Sequence, residues 1–224
     1  MRASVYFDGF NVYNGIKSKA EDNPNWLKYK WLNLEELAKL IIPPNHELTQ
    51  VYYFTSHIKD KLGYKAQRQK NYLDALSAFS QNRVKTFFGR FQDYDISCKN
   101  PNCLSIPLRC SVCGAEYRKP NEKKTDVNLS TYMLTDCFEN KTDCVVLVSG
   151  DTDYEMPLSA IRRLFPTIHI NIAYPPKRKN TALTKYCTET SFEIDEVMLR
   201  ASLLPDPVVS PFSGKIFNCP KSWK

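Results

Sequence analysis

No apolar run in this 224-residue sequence is longer than CVVLV, Cys144 to Val148. A membrane-crossing helix needs roughly 20 such residues, so a helical membrane span is excluded. The opening MRASVYFDGFN is apolar only briefly before Asp8 interrupts it, too short for the core of a secretory signal. Histidine is scarce: His46, His57 and His169 fall in no acid–base constellation, and none receives a role. Repeats and low-complexity segments are absent. These absences set the expectation of a cytoplasmic chain without membrane contact. In that reducing compartment cysteines bind metal or stay free more often than they form disulfides.

What is present is a globular composition, 42% hydrophobic and 25% charged, with a formal charge of +7. The positive excess admits a nucleic-acid partner without requiring one. The length suits one sizeable domain, expected over 1–204, with an insertion at 91–124 and an irregular tail at 205–224. Short runs rich in β-branched and aromatic residues recur at Ser4–Phe7, Val51–Phe54, Val84–Phe88, Val145–Val148 and Ile168–Ala173. Between them lie helix-like stretches at Leu32–Ile42, Tyr64–Ser80, Asp126–Phe138 and Glu155–Leu164. Strand–helix alternation of this kind predicts an α/β layered fold on a mainly parallel sheet.

Ligands of such sheets gather beyond the carboxyl ends of the strands. Asp8 ends the first run, Asp151 and Asp153 follow VVLVSG, and Gly9 and Gly150 mark expected sharp exits from the sheet. In KKTDVNLSTYML, Thr125 is the expected N-cap, with Val127, Leu134 and Phe138 on one face and Asp126 in the first turn. Acids from three parts of the chain thus converge on one rim. Each alone reads more readily as a turn or helix-start residue. Together they would raise one another's pKa unless a cation neutralised them, and oxygen-only ligands favour Mg²⁺ or Mn²⁺.

The stretches YFDGFNVYN, KKTDVNLSTYML and VLVSGDTDYEMPL, with YKAQRQKNYLDAL, LTKYCTETSFEID and the closing CPKSW, resemble the NYN domain. That family is PIN-like and nucleolytic, and the likeness is greatest to its LabA-like bacterial branch. The resemblance implies a three-layer Rossmann-like fold and a metal-dependent ribonuclease. It implies that Asp8, Asp126 and Asp151 hold the metal, with Asp153 a fourth acid ligating directly or through water. Asn11 would orient a water or a substrate phosphate oxygen. The implied reaction is phosphodiester hydrolysis with one or two ions, two being spaced about 4 Å apart.

From Phe91 to Lys124 the periodicity stops, and Cys98, Cys103, Cys110 and Cys113 cluster there as C-x4-C-x6-C-x2-C. A long structureless loop needs a tie, and four thiolates would make a closed structural Zn²⁺ site, with disulfides or an iron–sulfur cluster as the alternatives. Cys137, Cys144, Cys187 and Cys219 read as ordinary buried or tail thiols. The insertion leaves and returns at the acid rim, where it would either clamp nucleic acid or only staple the fold.

Basic clusters offer phosphate contacts through Arg68, Lys124, Lys177 and Arg178, beside Lys65, Lys70, Arg118, Lys119, Lys123 and Lys179. Tyr13, Tyr94 and Tyr154 lie where they would stack on unpaired bases or pack at the rim. The expected partner is single-stranded or structured RNA, with DNA and a homodimer left open. Alternatives are an RNA-binding or regulatory module with little cleavage, and a phosphatase. The phosphatase ranks last, because DGFNV lacks the second acid and threonine of a D-x-D-x-T site.

Overall fold

The computed structural model describes residues 1–58, 63–95 and 118–224, and at 91–95 and 118–123 the backbone alone. The chain opens with β1 (Arg2–Asp8), α1 (Gly9–Asp22), a 3-10 turn at Pro24–Lys30 and α2 (Leu34–Ile41). Next come β2 (Glu47–Thr55), α3 (Tyr64–Ser80), β3 (Val84–Phe88), β4 (Arg90–Asp95) and β5 (Arg118–Lys123). The second half runs α4 (Thr125–Phe138), β6 (Cys144–Val148), α5 (Glu155–Leu164), β7 (His169–Tyr174), α6 (Thr181–Thr184), β8 (Ser191–Glu193) and α7 (Glu196–Ala201). The tail adds β9 (Val208–Val209) and β10 (Ile216–Phe217).

Six strands form one parallel sheet in the order β3-β2-β1-β6-β7-β8. Both faces are covered, which explains the continuous apolar strands. With a side-chain period of two, Ala3, Val5 and Phe7 of β1 enter one core layer, against α1, α2 and α3. Tyr6 enters the other, with Leu129 and Met133 of α4 and Leu158 and Ile161 of α5.

From β1 the chain winds outward through β2 to β3, and from its neighbour β6 it winds the other way through β7 to β8. The strand order therefore reverses between β1 and β6. Beyond the carboxyl ends of such a pair a crevice opens, because the two connections leave in opposite directions.

Several local expectations are corrected. Helix α1 has no broad apolar stripe, burying only Gly9, Val12, Gly15 and Ile16, and the periodicity did not announce it. In α4 the cap residue is Lys124 with φ 78° and no side-chain cap, while Thr125 is buried inside the first turn. Its core face is Leu129, Met133 and Cys137; Val127 and Phe138 are 67% and 82% exposed. Seating that face on the sheet turns Asp126 toward the rim.

Gly9 and Gly150 are not among the described residues with positive φ. They are needed for close approach instead. A Cβ on Gly9 would stand 2.7 Å from the Phe54 carbonyl oxygen, and one on Gly150 1.7 Å from that of Arg178.

The segment read as aperiodic from 91 to 124 contributes β4 and β5, paired antiparallel from Arg90↔Lys123 to Asp95↔Arg118. Their sequences, RFQDYD and RKPNEK, lack the alternation that reveals a half-buried strand. Cys98, Cys103, Cys110 and Cys113 lie outside the described residues. In the tail, expected to be irregular, β9 pairs antiparallel with β10 and Trp223 is buried. No helix of the described residues is long and apolar enough to cross a membrane.

Candidate active site

The crevice at the β1/β6 reversal is lined by acids. Asp8, at the end of β1, is only 4% exposed. It caps α1 by accepting from the Asn11 backbone N–H at 3.0 Å through Oδ1. Its Oδ2 accepts from Ser149 Oγ at 2.9 Å. Ser149 Oγ in turn accepts the Asp151 backbone N–H at 3.1 Å, and Asp151 Oδ1 accepts that of Asp153 at 3.1 Å. The links to backbone amides follow from local geometry, since an aspartate at a strand end satisfies the orphan amides of the turn that follows it. The Ser149–Asp8 bond depends instead on the pairing of β1 with β6.

The buried Tyr154 hydroxyl joins the third acid to the first. It lies 2.9 Å from Asp126 Oδ1 and 3.4 Å from Asp8 Oδ2. One phenol proton serves both carboxylates, so the shorter bond, to Asp126, takes most of it. Asn11 Oδ1 accepts the Gly150 N–H at 3.1 Å, tying α1 to the loop after β6. Asp8, Asn11, Asp126 and Asp151 are thus drawn together. Asp153 stands exposed at the mouth.

Burial, opposed by the Asn11 and Ser149 donors and reinforced by the Asp126 and Asp151 charges, lifts the Asp8 carboxyl to about 6. Burial also raises Asp126, with help from Asp151 and Asp153 and against the Tyr154 bond. Tyr154 is held firmly protonated by burial and by the charges of Asp8, Asp126 and Asp151. Among the described residues no Lys or Arg forms an ion pair with any of the four acids. The electrostatic need for a cation is therefore unmet within the described chain.

The donor set is all oxygen, as a hard divalent ion prefers. Its spread is wide, however. Among the described residues, the only group of three metal-capable side chains with ligand atoms all within 4.8 Å is His46, Cys144 and Glu189, at the opposite edge. The acids fit an ion that keeps part of its water shell, as Mg²⁺ usually does.

The basic residues divide. Arg68 lines a cavity beside Gly9, and Lys124 is exposed two residues before Asp126. Lys177 pairs with Asp22 and donates to the Ser18 carbonyl, the latter at 3.1 Å, which turns it onto α1. Arg178 lies against Gly150 through its carbonyl, with Nη2 3.4 Å from Ser18 Oγ.

Tyr154, one of the tyrosines considered for base stacking, is 0% exposed and instead bridges acids. Tyr13 remains partly exposed, and the Tyr94 side chain lies outside the description. Ser149 was missed; its only sequence signal is its place between a buried strand and Gly150–Asp151.

The family model of the NYN domain matches residues 2–195. A curated relative, the 6-hydroxy-3-succinoylpyridine 3-monooxygenase HspA of Pseudomonas putida (strain DSM 28022 / S16), is 27% identical over 92% of this chain and 70% of its own length. No solved structure matches the chain.

Proposed function

The chain belongs to the NYN domain family, and on that premise we propose that it is a divalent-metal-dependent nuclease hydrolysing RNA phosphodiester bonds. The observation that carries the reading is the desolvated carboxylate cluster at the β1/β6 reversal, with no basic partner among the described residues. Asp8, Asp126 and Asp151 would hold Mg²⁺ or Mn²⁺, with Asp153 reached directly or through water. An ion bound there would polarise the phosphate, ease ionisation of the attacking water and stabilise the leaving oxygen.

The chain's own groups do the positioning. Ser149 fixes Asp8 Oδ2 and the Asp151 amide, so acids from two strands keep a constant separation. Tyr154, neutral at any working pH, donates to Asp126 and cannot act as a base. Asn11 clamps Gly150 and so fixes the turn that presents Asp151. Lys124 would meet a phosphate flanking the cut. In the insertion, Cys98, Cys103, Cys110 and Cys113 are proposed to hold a structural Zn²⁺, on their spacing alone.

The test is cleavage of mixed RNA and DNA by the purified chain, with and without chelator. Metal-dependent cutting that vanishes in Asp8→Asn and Asp151→Asn supports the reading. RNA binding without cutting would favour the regulatory alternative, and equal cutting of both polymers would extend the reading to DNA.

The relative's name supplies a second reading, hydroxylation of a small heteroaromatic acid, favoured by the aromatic and cationic cavity beside Gly9. Consumption of dioxygen with an added reductant and a hydroxypyridine acid would establish it; no consumption would remove it.

A further inference from the structure

On the α1 face of the sheet, the carboxyl ends of β1 and β2 border a cavity that opens to solvent. Its walls are unusually aromatic, with Tyr13 from α1, Tyr53 from β2, Tyr72 from α3 and Trp223 from the tail. Two of its cations are Lys30 and Arg68; burial first, then the charges of Arg68 and Lys17, pull the Lys30 ammonium down to about 8. Lys30 Nζ sits 4.6 Å above the Tyr13 ring and 3.5 Å from its hydroxyl. No carboxylate is among the described residues lining the cavity.

The cavity adjoins the acid site. Gly9, which lines it, directly follows Asp8, and a Cβ there would strike the Tyr53 ring at 2.8 Å. The Asp8 charge also helps to raise the Tyr53 phenol. Among the described residues, an acid cluster without a basic partner and a cation pair without an acidic one therefore lie on either side of the start of α1.

We propose that this cavity seats one unpaired nucleotide of the substrate, its base among Tyr13, Tyr53 and Trp223 and its phosphate on Lys30 and Arg68, next to the phosphate that is cut. The inference rests on the nuclease reading and sharpens it to strands with an accessible base. Flat aromatic walls accept the face of any base, and Arg presents a planar fork to phosphate. A paired base stays in its stack and cannot enter, so the cavity selects single strands and loops.

Titrating adenosine and uridine 5′-monophosphates into the full chain in chelator tests the cavity apart from metal and cleavage. Saturable one-to-one binding is expected, weakened at least tenfold by Lys30→Met and by Arg68→Gln. Adenosine without phosphate should bind at least tenfold more weakly. Lys85→Met, at a distant lysine held on Gln50, controls for loss of charge and should change nothing.

Absent binding, or undiminished binding in both folded variants, overturns the proposal, as does tighter binding of benzoate or a hydroxypyridine carboxylate than of either nucleotide. Metal-dependent cleavage without nucleotide binding would remove the cavity's role and leave the nuclease reading standing. Nucleotide binding without cleavage would support the cavity and remove the nuclease reading.

Discussion

Asp143, at the amino edge of the sheet, and Asp8, at its carboxyl edge, flank strands of the same core, yet their carboxyls are held at opposite ends of the scale. Asp143 accepts from Arg2 Nη2 at 2.7 Å, Nε at 3.2 Å and the backbone N–H at 2.8 Å. These bonds pull it down to about 2. Its neighbour Glu189 likewise has His169 Nδ1 at 2.5 Å. Asp8 receives a hydroxyl and an amide at good distance, loses its water and is pushed up to about 6.

One edge carries its counter-charges within the chain; among the described residues, the other does not. Acids left in that condition reduce stability, and a fold that retains them is keeping them for something outside itself. The one compact ligand group among the described residues, His46, Cys144 and Glu189, sits at the satisfied edge. There burial, with Glu189 and Asp143, pushes the Cys144 thiol up to about 12, so it stays protonated.

The largest effect that would sharpen this contrast is catalytic. Asp8→Asn and Asp151→Asn should each lower metal-dependent cleavage by about a thousandfold or more, read as kcat/KM on a defined RNA. Arg2→Gln and Cys144→Ser, at the other edge, should leave cleavage within about twofold. Equal losses at both edges would break the comparison.

Next in size is a stability effect of unusual sign. Because the folded pKa of Asp8 is raised from 3.8 to about 6, the metal-free fold binds a proton that the unfolded chain releases. Its contribution is favourable below pH 4 and is lost as pH climbs through 6, by up to roughly 3 kcal/mol. Urea unfolding in chelator should therefore find metal-free Asp8→Asn at pH 7.5 as stable as the parent or more so. A destabilised variant would show that Asp8 is paired after all.

Asp143 runs the other way: lowered to about 2, it stabilises above pH 4, and that benefit fades as pH falls toward 2. Arg2→Gln should abolish this acid-side dependence, measured by the same unfolding series.

Tyr154→Phe should have a smaller effect, lowering kcat about tenfold to a hundredfold by freeing Asp126, with little change in KM. A loss of affinity for RNA with unchanged kcat would instead make the tyrosine a substrate contact.

The two halves of this account were not equally legible in the sequence. Helices α3 and α5 and strand β3 have the bounds their patterns predict: α5 is strongly amphipathic, and α3 is a run without glycine or proline that begins just after Gly63. Helix α1 escaped, since Gly9 and Gly15 replace apolar residues where backbones must nearly touch. Ribbon β4/β5 escaped because RFQDYD and RKPNEK carry no alternating apolar pattern that could mark it.

At the site, Asp8, Asp126 and Asp151 could be placed on one rim from strand ends and a helix start. The Ser149 relay and the Tyr154 bridge could not. A serine 141 residues from its aspartate along the chain meets it only because β1 and β6 are neighbours in the sheet. The Lys177 pairing with Asp22 was hidden for the same reason, since the two lie 155 residues apart.

The central claim is that the carboxyl-edge acids await a divalent cation, and calorimetric Mn²⁺ titration of the wild type and Asp8→Asn tests it most directly. Saturable binding should occur at pH 7.5, with proton release appearing only near pH 5.5, where Asp8 must ionise, and both should disappear in the variant. Identical isotherms for the two proteins would contradict it.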